Sequence, residues 1–355
     1  MIFFWGFIIS FIIAVTATFL VLKLARKYKT LDEPNPSIPR KIHKSPTPLL
    51  GGLAVIFAFD LASIIFYFNS SLLQSNIPLK SMVAIWLASL VLAIGGVIDD
   101  IKNLKPSLQI ISPILAVFIV VGAGIGVPHI TNPFGGQINL AGPVIFQATT
   151  LVAALFAAVW LLGMVYTTKF LDGLDGLATS ISLVSAFALF ALSFTPKVEQ
   201  HYTALLIIIA AGAMAGFLVF NWHPAKIFLG ESGSTFIGFI LGVFAIIAGG
   251  KIATAFLVMG VPILDVFWVI VRRIIRGGSP FKADRGHLHF RLLDLGLSQR
   301  RVVIILTGIA AIFGFSAVLL QSLGKFWEIV ILLIVMIIFG GWVVVLSRRR
   351  RPQTP

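Results

Sequence analysis

The chain has 355 residues, 58% of them hydrophobic and only 11% charged, with 27 Lys and Arg against 13 Asp and Glu, a net charge of +14 and no cysteine; its mean hydropathy is +1.03. Soluble domains carry about 25% charged residues, so this balance excludes a water-soluble fold: the surplus apolar surface has to face lipid. The lack of cysteine excludes disulfides and thiolate chemistry.

Taken in chain order, residues 3–22 form the first apolar run, with no basic stretch before it and no small-residue cleavage site after it; Lys23, Arg26, Lys27 and Lys29 follow directly. This predicts a first transmembrane helix held by cytoplasmic positive charge, not a cleaved signal. Further runs at 49–68, 82–98, 108–126, 146–165, 175–194, 202–221, 232–249, 253–271, 302–321 and 326–346 bring the expectation to about eleven spans. Lipid cannot satisfy open backbone groups, so the fold class is all-α, a polytopic transmembrane helical bundle forming a single integral membrane domain over 1–355. Residues 128–143 are apolar with Gly and Asn and carry no Asp, Glu, Lys or Arg, which predicts a re-entrant or hairpin cover.

With the loop after the first span cytoplasmic, only Lys80, Lys197, Lys251 and Lys325 fall outside, leaving 23 of the 27 basic residues on the inner side. They include a basic, His-containing loop over 272–301 and the tail 347–355 with Arg348 to Arg351. This positive-inside pattern places the N-terminus outside and the C-terminus in the cytoplasm, and it accounts for the net charge without nucleic acid. The carboxylates gather on the same inner face, which no outer loop matches.

Five inner motifs carry chemistry. Asp99 and Asp100 end the third span in Gly95-Gly96-Val97-Ile98-Asp99-Asp100; adjacent carboxylates persist best beside a cation, although Lys102 and Lys105 would also serve a merely solvated loop. Asp172-Gly173-Leu174-Asp175-Gly176 enters the sixth span. If the helix has begun, Asp172 and Asp175 share a face, with glycines permitting close approach of a ligand; a plain N-terminal cap explains one aspartate. Leu229-Gly230-Glu231-Ser232-Gly233 enters the eighth span, where open amides suit phosphate and Glu231 suits a hard cation. Asn221 ends the helix before it, and Phe228 lies between. In Arg285-Gly286-His287-Leu288-His289-Phe290-Arg291, the two histidines would point the same way in an extended strand; with Arg291 they favour phosphate over zinc. Lys44 lies in a basic, proline-stiffened entry to the second span, which alone could be a membrane anchor. Together the motifs predict one cytoplasmic-interface site for a phosphate carried with Mg²⁺, or with Mn²⁺ in its place.

In this order the motifs resemble the polyprenyl-phosphate N-acetylhexosamine-1-phosphate transferases, from about Arg40 to Leu295. The resemblance implies transfer of a sugar 1-phosphate from a UDP-sugar to a polyprenyl phosphate lipid, with release of UMP, in a bacterial cytoplasmic membrane. It implies that Asp99 and Asp100 engage the lipid phosphate, Asp172 and Asp175 lie near the nucleotide and diphosphate, and Asn221 and Phe228 line the nucleoside pocket. By the same resemblance Glu231 holds the metal, His287, His289 and Arg291 meet the diphosphate and sugar, and Lys44 is a basic residue near the site. Three positions depart from the family's pattern: Glu231 replaces an aspartate, Lys169 replaces an asparagine and Phe290 replaces a histidine. The segment from Asp284 to His289 resembles the GlcNAc branch more than the MurNAc-pentapeptide branch, which stands as the alternative donor. A homodimer is compatible with this reading. Rivals of another class are a secondary transporter, for which Asp60 and Asp265 are the membrane-depth carboxylates, and an inactive scaffold that lost activity through Glu231.

Overall fold

The computed structural model describes residues 1–35, 41–43, 45–132, 134, 136–140, 142, 144–146, 149–196, 198–248, 252–275, 277, 285–320 and 322–350. Its helices are α1 (Ile2–Lys27), α2 (Gly51–Asn69), α3 (Ser71–Gln74), α4 (Leu79–Lys102), α5 (Pro106–Gln109), α6 (Ile111–Gly122), α7 (Leu151–Leu171), α8 (Leu177–Ser193), α9 (His201–Asn221), α10 (Gly230–Ile247), α11 (Ile252–Val258), α12 (Gly260–Ile275), α13 (Leu288–Asp294), α14 (Gln299–Leu319) and α15 (Ser322–Arg350). Three antiparallel two-stranded ladders are the only sheet among the described residues: β1 (Leu31–Asp32) with β2 (Thr47–Pro48), β3 (His129–Thr131) with β4 (Gln137–Asn139), and β5 (Val144–Phe146) with β6 (Thr149–Thr150). The β3–β4 ladder is the hairpin expected within 128–143.

Each of the eleven expected runs meets helix. Eight helices among the described residues are long and apolar enough to cross a membrane, and the pair α11 and α12 makes a ninth if it is one span bent by 78°. The remaining two, Pro106–Gly122 and Leu177–Ser193, are shorter. Seventeen residues rise only about 25 Å at ~1.5 Å each, short of a hydrocarbon core of about 30 Å. The ninth run expected over 253–271 is met by two helices, α11 and α12, meeting at Met259. The fifth run is displaced: it begins at Thr150, whose Oγ1 accepts the Ala153 N–H at 3.2 Å as an N-cap, and runs on to Leu171. Lys169 therefore belongs to the last helical turn and not to the loop.

α10 is the axis of the bundle, buried along nearly its whole length and packed on α2, α4, α7 and α8. Lipid offers no hydrophobic drive between helices, so close backbone approach does the work. Gly52 of α2 lies against Gly233, and Gly96 of α4 lies against Ser232; a Cβ on either would stand 2.0 to 2.2 Å from α10 backbone. α2 is also tied in at its start, where the Gly51 and Gly52 amides donate to the Phe228 and Leu229 carbonyls at 3.0 and 2.7 Å. These contacts bring the start of α2 and the C-terminal part of α4 to the start of α10.

Candidate active site

The acidic centre is built from helix ends. Asp99, 6% exposed, accepts hydrogen bonds at Oδ1 from the Leu104 N–H at 2.8 Å and Gln109 Nε2 at 3.1 Å. Asn103, left-handed at φ 49, turns the chain to make this possible. Asp100 Oδ1 accepts the Glu231 N–H at 3.0 Å, one of the open amides at the start of α10. Asp100 Oδ2 is buried with no hydrogen-bond partner. Gly230 makes room for it: its φ is +73, and a Cβ there would stand 2.5 Å from Asp100 Oδ2. Lys169 Nζ donates to Gln109 Oε1 at 2.9 Å, pairs with Glu231 Oε2 at 2.9 Å and stands 4.0 Å from Asp99 Oδ2.

Asp172 and Asp175 do not share a helix face. α8 begins at Leu177 after left-handed Gly176, so both aspartates lie in the turn between α7 and α8. Asp172 caps α7. Burial pushes its carboxyl up to about 8, and the charges of Glu231 and Asp175 push the same way. Asp175 Oδ2 lies 2.6 Å from His223 Nδ1 and accepts the Ala225 N–H at 3.1 Å, bracing the 222–229 loop. Asn221 braces it too: its amide accepts from Thr179 Oγ1 and donates to the Ile227 carbonyl, each at 3.1 Å. Phe228 meets the His43 ring edge-on at 5.3 Å, and His43 Nε2 lies 3.1 Å from the Asp32 carbonyl oxygen. Lys41 pairs with Asp32. Lys44 lies outside the described residues.

The histidine pair is helical, not extended. His287 is the N-cap residue of α13 and His289 is in its first turn, their rings stacked with centroids 5.6 Å apart. Asp265 fixes this start: its carboxylate lies 2.8 Å from His287 Nδ1 and accepts the Leu288 N–H at 2.8 Å. His289 is buried, its Nε2 lacks a hydrogen-bond partner, and Gly173 packs on it so closely that a Cβ would stand 2.4 Å away. Burial lowers its pKa to about 3 against the opposing charge of Asp265, so its imidazole is neutral at ordinary pH. Arg291 turns back, its Nε donating to the Gly286 carbonyl at 2.9 Å, and does not line the cavity. The expected 272–301 loop is thus largely helical at both ends and over α13.

Two spaces meet here. A groove of about 440 Å³ runs along α4 and α6, lined by apolar side chains including Ile94, Ile98, Leu108, Ile111 and Leu115. A polar cavity of about 380 Å³ is lined by Asp99, Asp100, Asp172, Asp175, Asn221, Phe228, Glu231, Arg273 and His287, among others. Asp99, Gln109, Lys169 and Glu231 line both. The structure therefore gathers the carboxylates, Asn221, Phe228 and His287 in one place, places His289 behind the wall and turns Arg291 away. Sequence reasoning missed Gln109, His43, His223 and Arg273 as site residues and read Asp265 as a transport candidate. A charge inside an apolar run was the available signal for Asp265; the others carry none.

Residues 82–249 match glycosyl transferase family 4. The chain is 33% identical over 329 residues, 86% of its length and 79% of the other's, to decaprenyl-phosphate N-acetylglucosaminephosphotransferase of Mycobacterium tuberculosis. The chain belongs to glycosyl transferase family 4. Its motif aspartates Asp99, Asp100, Asp172 and Asp175 and Glu231 all fall within the family 4 match. This family 4 chain is also 29% identical over 324 residues, 89% of its length and 84% of the other's, to a probable undecaprenyl-phosphate N-acetylglucosaminyl 1-phosphate transferase of Bacillus subtilis. To a phospho-N-acetylmuramoyl-pentapeptide-transferase of Halalkalibacterium halodurans it is 29% identical over 332 residues, 88% of its length and 96% of the other's.

Proposed function

We propose that the chain transfers GlcNAc-1-phosphate, or a related HexNAc-1-phosphate, from a UDP-sugar to a polyprenyl phosphate such as undecaprenyl phosphate, releasing UMP and starting a lipid-linked cell-envelope glycan. The observation that carries this reading is the junction of an apolar groove with a carboxylate-lined polar cavity. Such a junction suits a reaction between a membrane lipid and a water-soluble nucleotide, and the activities named for the Bacillus and Mycobacterium relatives agree with it. The site faces the cytoplasm of a bacterial cell, with the N-terminus outside.

In the reaction, an oxygen of the lipid phosphate forms a bond to the sugar-proximal phosphorus. The bond from that phosphorus to the bridging oxygen breaks, and that oxygen leaves with UMP. Asp99, held at Oδ1 by two donors, presents Oδ2 at the groove mouth. Asp100 presents its unpartnered Oδ2 within the cavity. They orient the attacking phosphate and take its remaining proton. Phe228 and Asn221 lie where the nucleoside packs, and His287 faces the diphosphate.

A divalent cation fits this donor set. Among the described residues no three His, Cys, Asp or Glu side chains form a ready metal group. Mg²⁺ is commonly held by one or two carboxylates, with water and substrate phosphate completing its shell. Glu231, Asp172 and the open oxygen of Asp100 supply carboxylates of that kind. Bound there, Mg²⁺ would neutralise charge on the diphosphate. The Asp172 carboxyl is raised first by burial and further by the charges of Glu231 and Asp175, which a cation there would offset.

The test is purified protein with polyprenyl phosphate, Mg²⁺ and radiolabelled UDP-GlcNAc, beside Asp99→Ala and Glu231→Ala. Labelled lipid and UMP, lost in both variants, establish the reaction. Labelling from UDP-MurNAc-pentapeptide alone would move the chain to the other donor, and no product from any UDP-HexNAc would overturn the reading. A phosphorylated enzyme trapped with donor alone would replace direct attack by a covalent route.

A further inference from the structure

Lys169 is the one cationic side chain among the described residues that line the apolar groove, and it stands where that groove opens into the polar cavity. Its side chain is 13% exposed and is held by Gln109 and Glu231, with Asp99 beyond. Apart from the uncharged polar side chains of Gln109, Ser112 and Thr235, the rest of the lining is apolar until Asp99 and Glu231, whose carboxylates take a phosphate beside them only with a cation between. Groove residues Ile94, Leu108 and Leu115 are each about half exposed, as an open lipid-facing wall requires.

We infer that Lys169 is the anchor for the phosphate of the lipid acceptor. This rests on the transferase reading given above and names the residue that receives its second substrate. An isoprenoid chain lying in the groove delivers its headgroup to the groove's polar end. There the Lys169 ammonium, a compact charge on a flexible stem, can exchange Glu231 Oε2 for a phosphate oxygen without moving its backbone. Gln109 holds the stem end during the exchange, since it accepts from Lys169 and donates to Asp99. Glu231 in this arrangement has two uses, keeping the ammonium in place before the lipid arrives and turning to a cation afterwards. Lys169 is a substrate-binding residue in this proposal and takes no part in bond making.

The experiment measures binding of radiolabelled polyprenyl phosphate to detergent-purified full-length protein without donor, with polyprenol and inorganic phosphate as competitors, for the wild type, Lys169→Met, Lys169→Arg and Lys169→Met/Glu231→Gln. Wild type is expected to bind polyprenyl phosphate roughly tenfold to a hundredfold tighter than polyprenol, the range of one charge-assisted contact. Inorganic phosphate, lacking the chain, competes weakly. Lys169→Met is expected to bind the phosphate no better than polyprenol, and Lys169→Arg to recover part of the difference. The double variant removes both members of the ion pair, so a folded double variant that still shows the loss assigns it to the missing cation. In steady state, KM for polyprenyl phosphate should rise at least tenfold in Lys169→Met, with KM for the UDP-sugar nearly constant. Unchanged phosphate preference in both Met variants, or an equal rise in both KM values, overturns the anchor. A Lys169-dependent phosphate preference in a protein that transfers from no donor would sustain the anchor and sink the transferase reading.

Discussion

Gly230 stands between a backbone requirement and a carboxylate. At φ +73 any other residue incurs about 1–2 kcal/mol, and a Cβ would press on Asp100 Oδ2 from 2.5 Å. Gly230→Ala is therefore expected to lower stability by that order and transfer by at least ~10-fold, read by thermal unfolding and initial rate. Asp172 gives the site a pH signature. Its carboxyl, lifted to about 8, binds a proton more tightly folded than unfolded. The stability this contributes is complete below pH of about 4 and is lost as pH rises to about 8. A bound cation favours the ionised form. Stabilisation by Mg²⁺ should therefore be larger at pH 8 than at pH 6, and Asp172→Asn should flatten the difference; melting curves at the two pH values decide it. His289, lowered by burial to about 3, acts with the opposite sign, since the stability its neutral form contributes is complete above about 6.5 and lost as pH falls, so the quantity compared is the shift Mg²⁺ causes at each pH. At this scale the sequence announced the carboxylates but not their partners. Glu231 reads as a ligand in isolation, yet its ion pair with Lys169 joins residues on two helices far apart in the chain, which no local pattern encodes.

Among the elements, α10 shows how tight packing positions chemistry. Gly96→Ala would set a Cβ 2.2 Å from Ser232 Cα, backbone that cannot yield without moving α4. Overpacking of this kind costs about 1–3 kcal/mol, and since α4 ends in Asp99 and Asp100, activity should fall with stability. Gly163 on α7 meets nothing within 4 Å, so Gly163→Ala is expected to leave both intact and to serve as the control, compared by unfolding midpoint and transfer rate. Hydropathy marked all eleven runs because it responds to apolar length. It could not mark the break at Met259, where apolar residues continue across a 78° bend. Nor could it place the end of α7, because Lys169 looks like a loop residue until the helix is seen to carry it into the cavity. The spacing of the two histidines would put them on one side of an extended strand, but Asp265, from another helix, accepts the Leu288 amide and starts a helix there instead.

For the molecule as a whole, the four carboxylate and histidine motifs among the described residues converge on one cavity, so topology and function are one question. The chain has no cysteine, which makes single introduced cysteines clean reporters. Asn76→Cys, in the loop after α3, should react with an impermeant maleimide added outside intact cells. Lys105→Cys, beside the site, should react only after permeabilisation. The reverse pattern would invert the bundle.

The hydrogen bond from the Glu231 amide to Asp100 spans 131 residues, and the one from the Leu288 amide to Asp265 closes later still. Synthesis runs from the N-terminus, so Asp100 reaches the bilayer edge long before the amide that receives it exists. A nascent chain stopped short of α10 lacks the amide that receives Asp100, while Asp99 already has Leu104 and Gln109. The centre is therefore a late event in biogenesis, and a released fragment ending at residue 225 should be a target for membrane proteases where one ending at 250 is spared.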